Sequence, residues 1–133
     1  AATLGLFADL YGSEAGNLLT RIPGPPDSPT ILLCAHLDTV PLSAPVEVVQ
    51  ENGVLSNRHE AILGADNKAA VATVLGAARR LAGGGSPVGV ELLFTTCEEL
   101  AMAGAKAVDR ALLHSDFGYV FDHATPMKVT HAR

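Results

Sequence analysis

The stretch Thr30-Ile31-Leu32-Leu33-Cys34-Ala35-His36-Leu37-Asp38 joins an unbroken apolar run to a histidine and an acid. An apolar run without alternation predicts a strand covered on both faces. Such strands belong to sheets with helices packed against them. His36 and Asp38 then stand at the carboxyl end of that strand, where open α/β sheets gather their chemistry.

A second run of the same kind, Val88 to Thr96, leads into Cys97-Glu98-Glu99. Between the two, Val71, Val74, Leu75, Ala78 and Leu81 recur at spacings of three and four, predicting a helix from Asn67 or Lys68 to Leu81. Arg79 and Arg80 fall in its expected last turn, and Gly83-Gly84-Gly85 is its expected stop. Asn17 to Ile22 reads as a strand and Pro23 to Pro29 as a loop. Val46 to Gln50 and Val54 to Ser56 flank Asn52-Gly53, a pair suited to a tight primed hairpin turn. Ala105 to Leu113 reads as a helix of small residues and Tyr119 to Asp122 as a short strand, with Asp122 closing the apolar run Phe117 to Phe121. Ala1 to Leu10 reads as the tail of a helix or a connector, and Met127 to Arg133 as the start of another strand. The sum is an α/β fold, a mixed twisted sheet flanked by helices.

The chain's 133 residues suffice for one domain, and 48% hydrophobic residues suffice for a core. With 5% aromatics, that core must rest on Leu, Val and Ala. A net charge of −5 without a Lys/Arg cluster sets nucleic acid aside. No apolar run approaches the roughly 20 residues that span a bilayer, and no charged segment precedes an apolar one at the amino end. Two cysteines, Cys34 and Cys97, make no disulfide framework, so a cytoplasmic location is expected. The G-x-S-x-G elbow, the P-loop and dinucleotide spacings and the C-x-x-C pairs are all absent.

Four acidic segments follow strands or turns. His36 and Asp38 are two apart, so on an extended strand they share a side; one could bind a metal and the other orient it, or both could simply face water. Asp66 lies between Gly64 and a helix, where it could bridge two cations or cap the helix. Glu98 and Glu99, if extended, point opposite ways and suggest two jobs, binding a metal and holding a proton, against the alternative of a solvated loop. Asp122 could be a ligand or a turn-initiating acid. His59, His114 and His131 are expected at the surface, Lys68 is expected to be a local charge partner or solvated, and the cysteines to be small core residues.

At AHLDTV (Ala35 to Val40), ILGADNKAAVA (Ile62 to Ala72), TTCEELAMAGAKA (Thr95 to Ala107) and FGYVFD (Phe117 to Asp122), the sequence resembles the zinc aminopeptidase, carboxypeptidase and aminoacylase family, most closely its peptidase T-like tripeptidase branch. The resemblance implies a metal-dependent exopeptidase acting on small peptides, or an amidohydrolase of N-acyl amino acids. It implies two zinc ions, with cobalt or manganese also compatible. Its residue roles are His36 and Asp122 on the first metal, Asp66 on both, Glu99 on the second, Asp38 behind His36, and Glu98 as general base. It also implies a cis peptide at Asp66–Asn67. Members of the family carry a lid or dimerisation domain and a last histidine ligand beyond the matched region. Residues 1–133 are therefore expected to be a partial catalytic domain lacking the lid, with efficient catalysis lost. An exposed sheet edge, prone to self-association or homodimer formation, is expected too.

Overall fold

The structure, a computed structural model, describes residues 15–125 and 130 in full and the backbone of residues 4–6. Its main sheet has five strands in the order β1 (Leu4–Leu6), β2 (Asn17–Ile22), β6 (Gly89–Thr95), β3 (Thr30–His36) and β7 (Phe117–Val120). β1–β2 and β2–β6 are antiparallel, whereas β6–β3 and β3–β7 are parallel. The sheet is therefore mixed, as the sequence predicts. A separate hairpin, β4 (Val48–Glu51) and β5 (Val54–Asn57), turns at Asn52 (φ 50°) and Gly53 (φ 80°). Two successive left-handed residues are what a type I′ turn requires.

Alternation along the central strands sends side chains to opposite faces. Leu33 and Ala35 of β3 meet Val90, Leu92 and Phe94 of β6 beneath Val74 and Ala78 of helix α1 (Ala65–Gly84). Cys34 and Leu93 point the other way and pack with Leu19 against Val108, Leu112 and Leu113. Both faces of β3 and β6 are thus covered, which explains their unbroken apolar runs.

Several expectations are corrected. Leu4–Leu6 is an edge strand paired with β2, not a helix tail or connector; the remainder of Ala1 to Leu10, and Met127 to Arg133 apart from Thr130, lie outside the described residues. Helix α1 runs past Leu81 through Gly84, which removes Arg79 and Arg80 from the last turn. Leu75 is exposed, because the buried stripe is set by Val74 and Ala78. The helix expected over Ala105 to Leu113 is one turn, α2 (Ala103–Lys106), followed by a 3₁₀ turn at Arg110–Leu112. Asp109 divides them: its backbone is extended, and its side chain accepts the Ala111 N–H instead of continuing a helix.

Candidate metal centre

β3 lies between β6 and β7, and the chain leaving β6 passes over it to form β7. The carboxyl ends of the three parallel strands therefore meet at a switch in strand order, the place where such sheets open a crevice. His36 is the last residue of β3 and lies opposite Thr95. Asp122 follows β7, and the Phe121 N–H donates to the Cys34 carbonyl at 2.9 Å, which extends the pairing towards it. Asp66 stands at the start of α1, in a stretch where Asp66 and Asn67 leave helical geometry and the peptide between them is cis. Asp66 does not cap the helix; Gly64, at φ 78°, occupies that position without a side-chain bond.

Three elements distant in sequence thus converge. His36 Nε2 lies 3.1 Å from Asp66 Oδ1 and 3.7 Å from Asp122 Oδ1. The ring is 3% exposed, while both acids face solvent. His36 Nδ1 is 3.1 Å from the backbone carbonyl of Asp38 and 3.5 Å from its carboxylate. A carbonyl only accepts, so Nδ1 carries the hydrogen, and in the neutral ring Nε2 turns a lone pair towards two carboxylates. That arrangement favours a cation between them. One imidazole and two carboxylates form a donor set suited to zinc, and also to cobalt or manganese.

The expectation that Glu98 and Glu99 sit on extended chain is corrected. They lie in a turn, because Cys97 takes a left-handed backbone (φ 56°), followed by Ala101 (φ 57°) and Met102 (φ 58°). Instead of diverging, the two carboxylates bring ligand atoms within 4.8 Å of each other and of His36. The Asp38 carboxylate accepts the N–H groups of Glu98 (2.9 Å) and Glu99 (3.1 Å). One residue therefore holds the His36 ring by its carbonyl and the acidic turn by its side chain. Burial by itself would raise the Asp38 carboxyl, but those amide donors and nearby His36 hold it below the usual carboxylate range. Glu98 is pushed above that range by burial and then by the Asp122 charge.

Some supporting residues escaped the sequence reading. Lys68, expected to be a charge partner or solvated, donates to the Leu37 carbonyl and ties α1 to the end of β3. Asn67 is buried and donates to the Phe121 carbonyl at 2.6 Å, joining the Asp66 segment to the chain entering Asp122. Their only sequence signal was their place just after Asp66, at the start of the expected helix. Cys34 is a buried core residue as expected, whereas Cys97 lies in the turn. His59 and His114 are exposed, and His131 lies outside the described residues. His123 accepts the Thr125 N–H on Nδ1 and, with Asp66, Asn67 and Asp122, lines an open cavity of ≈ 690 Å³.

Residues 17–122, which include His36, Asp38, Asp66, Glu98, Glu99 and Asp122, match peptidase family M28. The chain belongs to peptidase family M28. Among solved structures its likeness is to the peptidase T-like branch of metallopeptidases. It superposes on aminopeptidase PepT from Bacillus cereus ATCC 10987 with a TM-score of 0.82 and 31% identity, over 92% of this chain and 34% of that one. Against a tripeptidase from Staphylococcus aureus subsp. aureus Mu50 the TM-score is 0.84 at 28% identity, over 93% and 34% of the two chains. It is 36% identical over 115 residues to the uncharacterized protein YqjE of Bacillus subtilis (strain 168), covering 86% of this chain and 31% of YqjE. The chain thus spans about a third of the length of these relatives. Among the described residues, no helix is long and apolar enough to cross a membrane.

Proposed function

We propose that this chain is the metal-binding part of the catalytic domain of an exopeptidase that removes residues from small peptides, as a tripeptide aminopeptidase using two divalent ions, zinc foremost. The observation that carries this reading is the buried His36 Nε2, its other nitrogen committed to a carbonyl, facing Asp66 and Asp122. His36, Asp66 and Asp122 would hold one ion, and Asp66 with Glu99 would contribute to the second. When bound, such ions polarise the scissile carbonyl and acidify the attacking water. Glu98, its carboxyl held above the usual range, is suited to accept that water's proton and return it to the leaving amine. Asp38 fixes the ring and the acidic turn together, so base and ligands keep one relative position. The solved relatives named as an aminopeptidase and a tripeptidase support small peptides as the substrate class.

The test is a calorimetric zinc titration of the protein beside Asp66→Ala, followed by a tripeptide hydrolysis assay. Saturable binding lost in the variant is expected. Binding that is indifferent to Asp66 would sink the assignment of the site. Cleavage of N-acyl amino acids without cleavage of tripeptides would replace the substrate class.

A further inference from the structure

The turn bearing Glu98 and Glu99 holds a shape it would not choose alone. Three of its residues without glycine's freedom, Cys97, Ala101 and Met102, are left-handed, and each such residue costs free energy that its surroundings must supply. Inside the turn, Met102 N–H donates to the Glu98 carbonyl at 2.7 Å and Ala103 N–H to the Cys97 carbonyl at 2.9 Å. Asp38 holds it from one side. A second clamp comes from β2. Asn17 is 1% exposed; its Oδ1 accepts the Thr96 N–H at 3.0 Å and its Nδ2 donates to the Gly104 carbonyl at 2.8 Å. Thr96 leads into the turn, and Gly104 lies just beyond it in the first residues of α2. Gly104 is packed so closely that a Cβ there would run into the Thr96 carbonyl and crowd Asn17 Oδ1.

We propose that Asn17 is a positioning residue for the Glu98–Glu99 turn: its amide bolts the two ends of the turn together, and so sets where the proton-accepting and metal-binding carboxylates stand. This rests on the roles proposed above for Glu98 and Glu99. An amide suits the position because it donates and accepts at once. A carboxylate would lose the donor facing Gly104, and an apolar side chain would leave the part-buried Thr96 N–H unpaired and take one of its two donors from the Gly104 carbonyl, which also accepts the Ala107 N–H at 3.1 Å. Nothing local to Asn17 announces the role, since Glu98 is 81 residues further along the chain.

Amide hydrogen exchange by NMR on the metal-free protein and on Asn17→Ala and Asn17→Asp is the direct test. Loss of two hydrogen bonds is expected to quicken exchange at the Glu98 and Glu99 amides about thirtyfold in the alanine variant. The Leu92 and Leu93 amides of β6 should change little, and Asn17→Asp, which keeps the acceptor, should fall between. Cobalt titration followed by visible absorption is the second readout. The alanine variant should weaken the ion that depends on Glu99 by about tenfold to a hundredfold and spare the one held by His36, Asp66 and Asp122. Unchanged exchange at Glu98 and Glu99 overturns the proposal. So does exchange that quickens everywhere, or a variant that does not fold, since either assigns Asn17 a general structural role. If the unmodified protein takes up no cobalt, the metal reading fails, while the exchange comparison still decides the role of Asn17.

Discussion

Glu91→Gln is expected to cost this protein a large share of its stability, although Glu91 takes no part in the proposed chemistry. Glu91 is 0% exposed, on the face of β6 opposite α1. Its Oε1 accepts Arg21 Nε at 2.7 Å from the directly opposed position of β2. Its Oε2 accepts the N–H groups of His114 at 2.9 Å and Ser115 at 3.0 Å, and Arg21 also donates to the Leu112 carbonyl. The carboxylate thus pins the segment leading into β7, which delivers Asp122. Glutamine fills the same volume but turns an NH₂ group either towards Arg21 or towards the two amides, setting donor against donor. Breaking one partner of a buried pair costs about 3–5 kcal/mol, and Arg21, with a third of its side chain exposed, places the expectation near 3 kcal/mol. Total stabilities are about 5–15 kcal/mol, so the loss is a sizeable fraction. With a urea slope of about 2 kcal/mol/M, the midpoint should fall by about 1.5 M. Urea unfolding followed by circular dichroism measures this directly. Arg21→Leu with Glu91→Leu should lose less than the sum of the single changes, because both charges go together. A loss below about 1 kcal/mol for Glu91→Gln, or strict additivity of the two leucines, would refute the reasoning.

Cys34 supplies a pH prediction. Burial, and then the Asp122 charge, push its thiol up to about 11 from 9.0. A raised folded-state value gives stability that is complete below pH 9 and lost as pH rises towards 11, a fall of about 3 kcal/mol. Alkaline unfolding of the metal-free protein should show it, and Cys34→Ala should flatten that limb; an unchanged limb would contradict the assignment. Asp38 works in the opposite sense: its lowered carboxyl gives stability present above its ordinary value of 3.8 and lost as pH falls through the folded value. Asp38→Asn should therefore weaken the acid dependence of unfolding, and it should raise exchange at the Glu98 and Glu99 amides as well. On the outermost described strand on that side, Val120 is 72% exposed beside Phe117 and Tyr119. Val120→Lys should reduce concentration-dependent association in sedimentation experiments while leaving circular dichroism unchanged, since a charge on an edge strand opposes pairing. Association that persists unchanged would place the contact elsewhere.

Local residue patterns were enough for the central strands, the main helix, the hairpin turn and the candidate acids. Each has a local cause: apolar runs without alternation, spacings of three and four, Asn-Gly, and acids following strands. The same local signals misled where long-range contacts decided. Residues 105–113 have helix-forming composition, but the Asp109 side chain diverts the backbone, and the next segment is held by Glu91 on another strand. Leu4–Leu6 is too short to announce a strand and gains its partner only from β2. The pair Glu98-Glu99 reads as extended chain until Cys97 turns left-handed, a conformation secured by Asp38 and Asn17 from far along the sequence. Sequence could nominate His36, Asp66 and Asp122 because residue type is written locally. Only the tertiary structure set the buried ring of His36 against both carboxylates, because that meeting depends on parallel pairing of β3 with β6 and β7, and on contacts between residues dozens of positions apart.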